Sequence, residues 1–381
     1  MAENKHDVTF NRALILGREM DYVQRSVSEM HISGDGPFSG ACGRLLADEL
    51  QAASVQLTTS CTAALEMCAL LLDLEPGDEV IVPSYGFVSI TNAIALRGAT
   101  PIFADVRPET LNLDERQLDA LRTERTKAVL VIHYSGVACK VETLEPWCRS
   151  HGIDLIEDNA HGLFASYHGR PLGSWGRFST LSFHETKNLS CGEGGALVIN
   201  REEDVQRAEW IRDKGTNRQQ LFRGEVDKYT WVDLGSSYVL SDMLAAFLLG
   251  QLEQRDRVEE ARQAIWERYD AAFRPALERN GVQLPHLPDG VVGANHMYWM
   301  MLPDLETRSR LIAHLRGQGV VAVSHYQPLN ASKMGQQFGG RPGSCPVTER
   351  AGECLMRLPF YNDLSVDDQQ RVIDGVLGFD Y

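Results

Sequence analysis

Lys187 lies in the run Ser182-Phe183-His184-Glu185-Thr186-Lys187-Asn188, with Gly192-Glu193-Gly194-Gly195 beyond it and Glu157-Asp158-Asn159-Ala160-His161 upstream. These residue types suit pyridoxal phosphate. That cofactor needs a lysine amine to hold its aldehyde and a carboxylate to keep its ring nitrogen protonated, so that the ring can accept electrons. Lys187 and Asp158 supply the two groups. A lysine in a loop is ordinarily a solvated charge; the glycines, the upstream aspartate and the flanking strand patterns set this one apart.

The elements that must position these groups read as strands. Ile153, Leu155 and Ile156 form an apolar run ending at Asp158, and Phe178 to Phe183 reads as the next strand. Both groups therefore fall at strand ends, where ligand sites of α/β sheets gather. Three further pieces fit such a pocket. Thr58-Thr59-Ser60-Cys61-Thr62 puts hydroxyls and free N–H groups at the start of a helix predicted over Thr62 to Leu72, which is either a phosphate site or a plain N-cap. Phe87, after the strand Glu79 to Val82, offers a ring that can stack on a flat cofactor or pack in the core. His161 and Ser182 offer hydrogen-bonding groups, or simply fill polar interior positions.

Length and composition bound the rest. With 381 residues, 43% of them apolar, the chain can bury a large core and is expected to form two domains, 1–250 and 251–381. Its net charge of −15, without a Lys/Arg run, argues against nucleic acid as a partner. The N-terminus, Met1 to Asp7, is polar, and no apolar run approaches membrane-spanning length, so a cytoplasmic protein is expected. The eight cysteines form no C-x-x-C pair and suit reduced thiols; Cys191 takes no catalytic role. The eleven histidines show no ligand spacing, and no metal is expected.

Short β-branched runs (Glu79 to Val82, Pro101 to Ala104, Ala128 to His133) alternate with helical stretches through the first 250 residues, the rhythm of a mostly parallel sheet covered by helices. One long helical stretch is then predicted from Asp242 to Phe273, weakly interrupted at Gly250. It leads into a smaller α+β domain with strands near Met297 to Leu302 and Val320 to Val323 and a helix near Thr307 to Leu315.

Thr59-Ser60-Cys61-Thr62-Ala63-Ala64-Leu65, Pro83-Ser84-Tyr85, Glu157-Asp158, Ser182 to Asn188 and Gly192 to Gly195 resemble the DegT/DnrJ/EryC1/StrS sugar-nucleotide aminotransferases, a branch of the fold-type I pyridoxal phosphate enzymes, nearly end to end. Gly34-Asp35-Gly36, Lys214 to Arg218, Phe222-Arg223-Gly224, Asp227 to Trp231, Gly235 to Tyr238 and His325-Tyr326 look most like the WecE/RffA subgroup. The resemblance implies an aspartate aminotransferase-like fold. It implies transfer of an amino group from L-glutamate to the C4 ketone of dTDP-4-keto-6-deoxy-D-glucose, giving dTDP-4-amino-4,6-dideoxy-D-galactose, with the gluco epimer or C3 amination as alternatives. It makes Lys187 the cofactor-holding lysine and Asp158 the partner of the ring nitrogen. His161 would contact the ring oxygen, Cys61, Thr62 and Ser182 the phosphate, and Phe87 the ring face. Ser237 falls where many relatives carry an Asn that reaches the phosphate across a homodimer interface, and His161 replaces a common Gln. His325, Arg218 and Arg223 are implied on the substrate side.

Other classes fit less well. A dehydratase on this fold normally lacks the lysine. The glycines from Gly34 to Gly40 have the wrong spacing and no good preceding strand for a nicotinamide site, and no basic helix-turn-helix segment supports a transcriptional regulator.

Overall fold

The computed structural model describes residues 7–277 and 280–381. Residues 1–6 of the polar N-terminus noted above lie outside the described residues. A seven-stranded sheet forms the centre: β1 (Ser54–Thr58), β2 (Glu79–Pro83), β3 (Thr100–Ala104), β4 (Thr126–Ile132), β5 (Asp154–Asp158), β6 (Phe178–Ser182) and β7 (Gly195–Ile199), in the order β1-β7-β6-β5-β4-β2-β3. Neighbours from β3 through β6 pair in parallel; β7 runs antiparallel to both β6 and β1. Strands β2, β4, β5 and β7 are rich in Val, Ile and Leu and nearly wholly buried, as strands covered on both faces must be.

Because only β7 is reversed, β1, β2, β4, β5 and β6 all deliver their C-terminal ends to one edge. Asp158 ends β5, and Ser60, Phe87 and Lys187 lie two, four and five residues past the ends of β1, β2 and β6. This is why residues more than a hundred positions apart can share a site.

The helix Cys61–Leu71 buries residues all round, from Ala63 and Leu65 to Met67 and Leu71. Each large apolar side chain buried there contributes about 1.5–3 kcal/mol, and together they fix the helix's first turn against the sheet. The expected single helix from Asp242 to Phe273 is two, Asp242–Leu252 and Arg255–Leu277. The first is apolar and wedged against the helices Glu19–Ser28 and Pro37–Leu50; the second is charged and half solvated. One straight helix cannot serve both environments, and the break falls at Glu253-Gln254 rather than at Gly250. Gly250 instead lets Glu19 approach, its missing Cβ lying 2.9 Å from the Glu19 backbone.

A second antiparallel sheet contains β8 (Trp299–Met301), β9 (Val323–Ser324) and, between them, β10 (Leu355–Arg357). Its pleat splits two cores. Trp299, Met301 and Leu355 pack toward the central sheet, while Met300 and Met356 join a separate cluster with Tyr269, Phe273 and Val372. Val8 belongs to that second cluster and bridges to Val320, so the chain's first described residues sit on its C-terminal part.

Candidate active site

A cavity of about 570 Å³ opens at the strand-end edge, with one wall from the central sheet and the other from the C-terminal sheet. Lys187, Asp158, Cys61, Thr62, Phe87, His161, Ser182 and His325 all line it.

Lys187 sits on the hairpin loop between β6 and β7. The Phe183 N–H donates to Gly194 O at 2.8 Å, the Glu185 N–H to Gly192 O at 2.9 Å and the Lys187 N–H to His184 O at 2.9 Å. Two glycines make the loop possible. Gly192 takes φ +87°, a left-handed value that favours glycine. At Gly195 a Cβ would lie 2.3 Å from the Ser60 carbonyl carbon and 2.4 Å from the Cys61 nitrogen, so the bare backbone lets β7 press against the turn that starts the next helix.

Ser60 is that helix's N-cap: its hydroxyl accepts the Ala63 N–H at 3.0 Å. The cap reading is therefore true, and it leaves an anion site beside it. The Cys61 and Thr62 N–H groups fall in the first turn, where no helical acceptor exists. Thr62 Oγ1 and Ser89 Oγ are 2.7 Å apart next to them. The Cys61 thiol points back to Thr180 at 3.5 Å and is pushed up by burial, so only its backbone faces an anion.

Burial dominates the electrostatics of the cavity. Burial lowers the Lys187 amine to about 8, with the Asp158 charge opposing the shift, so an appreciable fraction is uncharged near neutral pH. Burial raises the Asp158 carboxyl, opposed by the Ala160 N–H, which it accepts at 3.0 Å, and by Lys187. A cationic ring nitrogen set against this carboxylate would restore its ionisation. His161 stacks on His296 with centroids 4.3 Å apart and planes 17° apart, and its buried Nδ1 has no hydrogen-bond partner. Burial keeps both imidazoles neutral. Phe87 leaves 57% of its surface exposed at the cavity, a ring face free to meet a planar ligand. The first-turn N–H groups, the carboxylate, the lysine and the unsatisfied imidazole thus fit a phosphorylated pyridine aldehyde.

His325 is fixed by Tyr134, whose hydroxyl lies 2.8 Å from Nδ1, and by Tyr85, which donates to its carbonyl at 2.9 Å. Ser237, Arg218 and Arg223 do not line this cavity. Ser237 is exposed and bridges to Asp213; Arg218 faces Asp213 at 3.8 Å; Arg223 pairs with Glu209 and Glu225 at 3.0 and 2.6 Å. Tyr326, quoted above with His325, also lines the cavity, and the residues that the sequence reading passed over include His296, Arg357 and Phe10. Tyr326 adopts φ +42°, a conformation rare for an aromatic residue and of the kind found at ligand sites. A cation within the apolar run Leu355-Met356-Arg357-Leu358 was the available signal for Arg357.

A sequence profile of the DegT/DnrJ/EryC1/StrS aminotransferase family matches residues 15–377. The chain is 35% identical to dTDP-4-dehydro-2,3,6-trideoxy-D-glucose 4-aminotransferase of Saccharopolyspora spinosa, over 84% of this chain and 83% of that one. Among solved structures it is similar to the aminotransferase TlmJ of Streptoalloteichus hindustanus, with a TM-score of 0.88, 30% identity and 98% of each chain covered. It is also similar to a Streptococcus pneumoniae protein solved in its PLP form, with a TM-score of 0.90, 25% identity and 98% of each chain covered.

Proposed function

The chain belongs to the DegT/DnrJ/EryC1/StrS aminotransferase family, a pyridoxal phosphate-dependent sugar aminotransferase, and from that premise we propose that it transfers the amino group of L-glutamate to C4 of dTDP-4-keto-6-deoxy-D-glucose. The products in this reading are 2-oxoglutarate and dTDP-4-amino-4,6-dideoxy-D-galactose. The observation that carries it is a lysine of lowered pKa and a buried carboxylate in one cavity, both at the C-terminal edge of a parallel sheet.

The bound cofactor supplies an electron sink for the carbon that loses its proton. The Cys61 and Thr62 N–H groups, with the Thr62 and Ser182 hydroxyls, would bind its phosphate. Phe87 would cover one ring face, and neutral His161 would hydrogen-bond the ring oxygen. Asp158 would hold the ring-nitrogen proton, an electrostatic contribution to stabilising negative charge. Lys187 Nζ would take the donor's α-proton and later return one to sugar C4.

The S. spinosa relative, named for a dTDP-linked 4-dehydro sugar, supports a dTDP sugar and amination at C4. A homodimer supports the roles given to Ser237, Arg218 and Arg223. The segment carrying them exposes Phe222, Tyr229, Trp231 and Leu234, which a second copy can cover. Eight free cysteines suit the reducing cytoplasm. The test is incubation with glutamate and a panel of keto-sugar nucleotides, followed by proton NMR of the product. A small coupling between H3 and H4 supports the axial amine; a large one assigns the gluco epimer, and a product aminated at C3 overturns the regiochemistry.

A further inference from the structure

Asn188 directly follows Lys187 and joins the lysine loop to the opposite wall of the cavity. Its amide nitrogen donates to Ala294 O at 2.8 Å, and its Oδ1 lies 2.7 Å from His296 Nδ1. The partners settle the protons. A carbonyl can only accept, so the NH2 end of Asn188 faces Ala294, and the oxygen left over must receive an N–H from His296 Nδ1. Burial keeps that imidazole neutral, which leaves its Nε2 bare.

His296 is itself held on three sides. Arg262, buried on the helix Arg255–Leu277, gives its N–H groups to Asn295 O and His296 O at 3.0 and 2.6 Å. A buried guanidinium is tolerated only when its donors are engaged, and these two fix one short segment. The Ala294 N–H donates to Gly136 O at 3.2 Å, just past the end of β4, and the His296 ring stacks on His161. Such a ring cannot drift. The lysine loop is held differently, because its hydrogen bonds from Phe183 to Gly194, Glu185 to Gly192 and Lys187 to His184 set the shape of the hairpin and not its place against the C-terminal sheet. Apart from a 3.4 Å contact from Asn11 to Glu185 O, which reaches the N-terminal segment, Asn188 makes the loop's hydrogen bonds to that wall among the described residues.

Resting on the aminotransferase reading, we propose that His296 is a positioning residue for Lys187: through Asn188 it keeps the base of the lysine side chain in place, so that the amine meets the cofactor aldehyde and the substrate carbon. A lysine stem has four flexible carbons, and only its root can be fixed from outside. Displacement of a reacting group by about 1 Å can cost about 100-fold in rate, so a hydrogen bond one residue from Lys187 has leverage on the chemistry. The same imidazole touches His161 on the cofactor side, which sets both cavity residues from one point in the C-terminal part.

The test starts from cofactor-free protein and three variants: His296→Phe, which keeps a ring against His161 but loses the N–H, Asn188→Leu, and the two combined. Carbamylation of Lys187 by cyanate, followed by peptide mass, reads the lysine directly. Its pH midpoint, about 8 in the unaltered protein, should move toward the ordinary 10.5 in every variant as the amine leaves its buried seat. Affinity for pyridoxamine phosphate, which needs no lysine, should stay within about threefold in a fluorescence titration. In holoenzyme the glutamate half-reaction should slow by about 30-fold at saturation, with the half-saturating concentration little changed. The combined variant should be no worse than either single one, since one hydrogen bond is lost only once. His296→Gln, whose amide can still donate to Asn188, should recover most of the rate. An unmoved lysine midpoint, pyridoxamine phosphate affinity that falls in step with the rate, or losses that multiply in the combined variant each overturns the proposal. Absence of both half-reactions in the unaltered protein sinks the aminotransferase reading instead, and the carbamylation midpoint still decides for or against His296.

Discussion

Replacing Lys187 by Met should make the cofactor-free protein more stable at neutral pH. Met has a similar length and no charge. In the native protein the amine titrates at about 8 against an ordinary 10.5, because burial disfavours the ammonium. At about 1.4 kcal/mol per tenfold, that gap amounts to about 3 kcal/mol. This is an upper value, since the cavity is open to water and removing the lysine also deprives Asp158 of an opposite charge. About 1–3 kcal/mol is expected, or a few degrees in Tm for a chain of this size. The sign follows from linkage. The folded lysine binds its proton less tightly than the unfolded one, so its penalty is fully present below about 8 and is relieved as pH rises toward 10.5. Thermal melts of both proteins, stripped of cofactor, from pH 7 to 10.5 should therefore show the Met variant ahead at pH 7 and the two curves converging. A Met variant less stable at pH 7, with a gap independent of pH, would refute a desolvated lysine.

Three more expectations concern the same cavity. Asp158→Asn should bind cofactor yet lower kcat by at least about 100-fold, because a neutral amide cannot hold the ring-nitrogen proton as a carboxylate does; steady-state kinetics decide. Gly195→Ala places a Cβ 2.3 Å from the Ser60 carbonyl carbon. It should cost about 1–3 kcal/mol of stability and displace the phosphate-side turn, weakening cofactor binding measurably in a fluorescence titration. Mixing a Lys187→Ala chain with a chain altered at Ser237 and Arg218 should restore about a quarter of the sites if each cavity borrows from its neighbour; two inactive chains that stay inactive when mixed contradict the shared site.

Much of this arrangement was legible because its signals are local. Ser60 before an apolar run marks a helix start, and the apolar residues before Asp158 mark a strand whose end faces the ligand edge. The lysine loop is legible because the glycine at 192 answers a local demand, a left-handed turn. What stayed hidden depends on pairing across long stretches of chain. Nothing near Gly195 announces that β7 runs antiparallel between β1 and β6. Arg357 and His296 reach the cavity only because β10 and β8 fold back over the sheet edge. The break at Glu253-Gln254 was invisible for the same reason: helix propensity is continuous there, and packing of Asp242–Leu252 against Glu19–Ser28 decides where the chain turns. Ser237, Arg218 and Arg223 were named from a resemblance whose geometry involves two chains, and a single chain leaves them outside the cavity.

The most direct test of the account is a titration of the purified protein's visible absorbance. Cofactor held by Lys187 should give a visible band that Lys187→Ala lacks, L-glutamate should bleach it, and dTDP-4-keto-6-deoxy-D-glucose should restore it while consuming one equivalent of sugar per site. A protein without the band, or one bleached by glutamate and restored by 2-oxoglutarate but by no keto-sugar nucleotide, contradicts it.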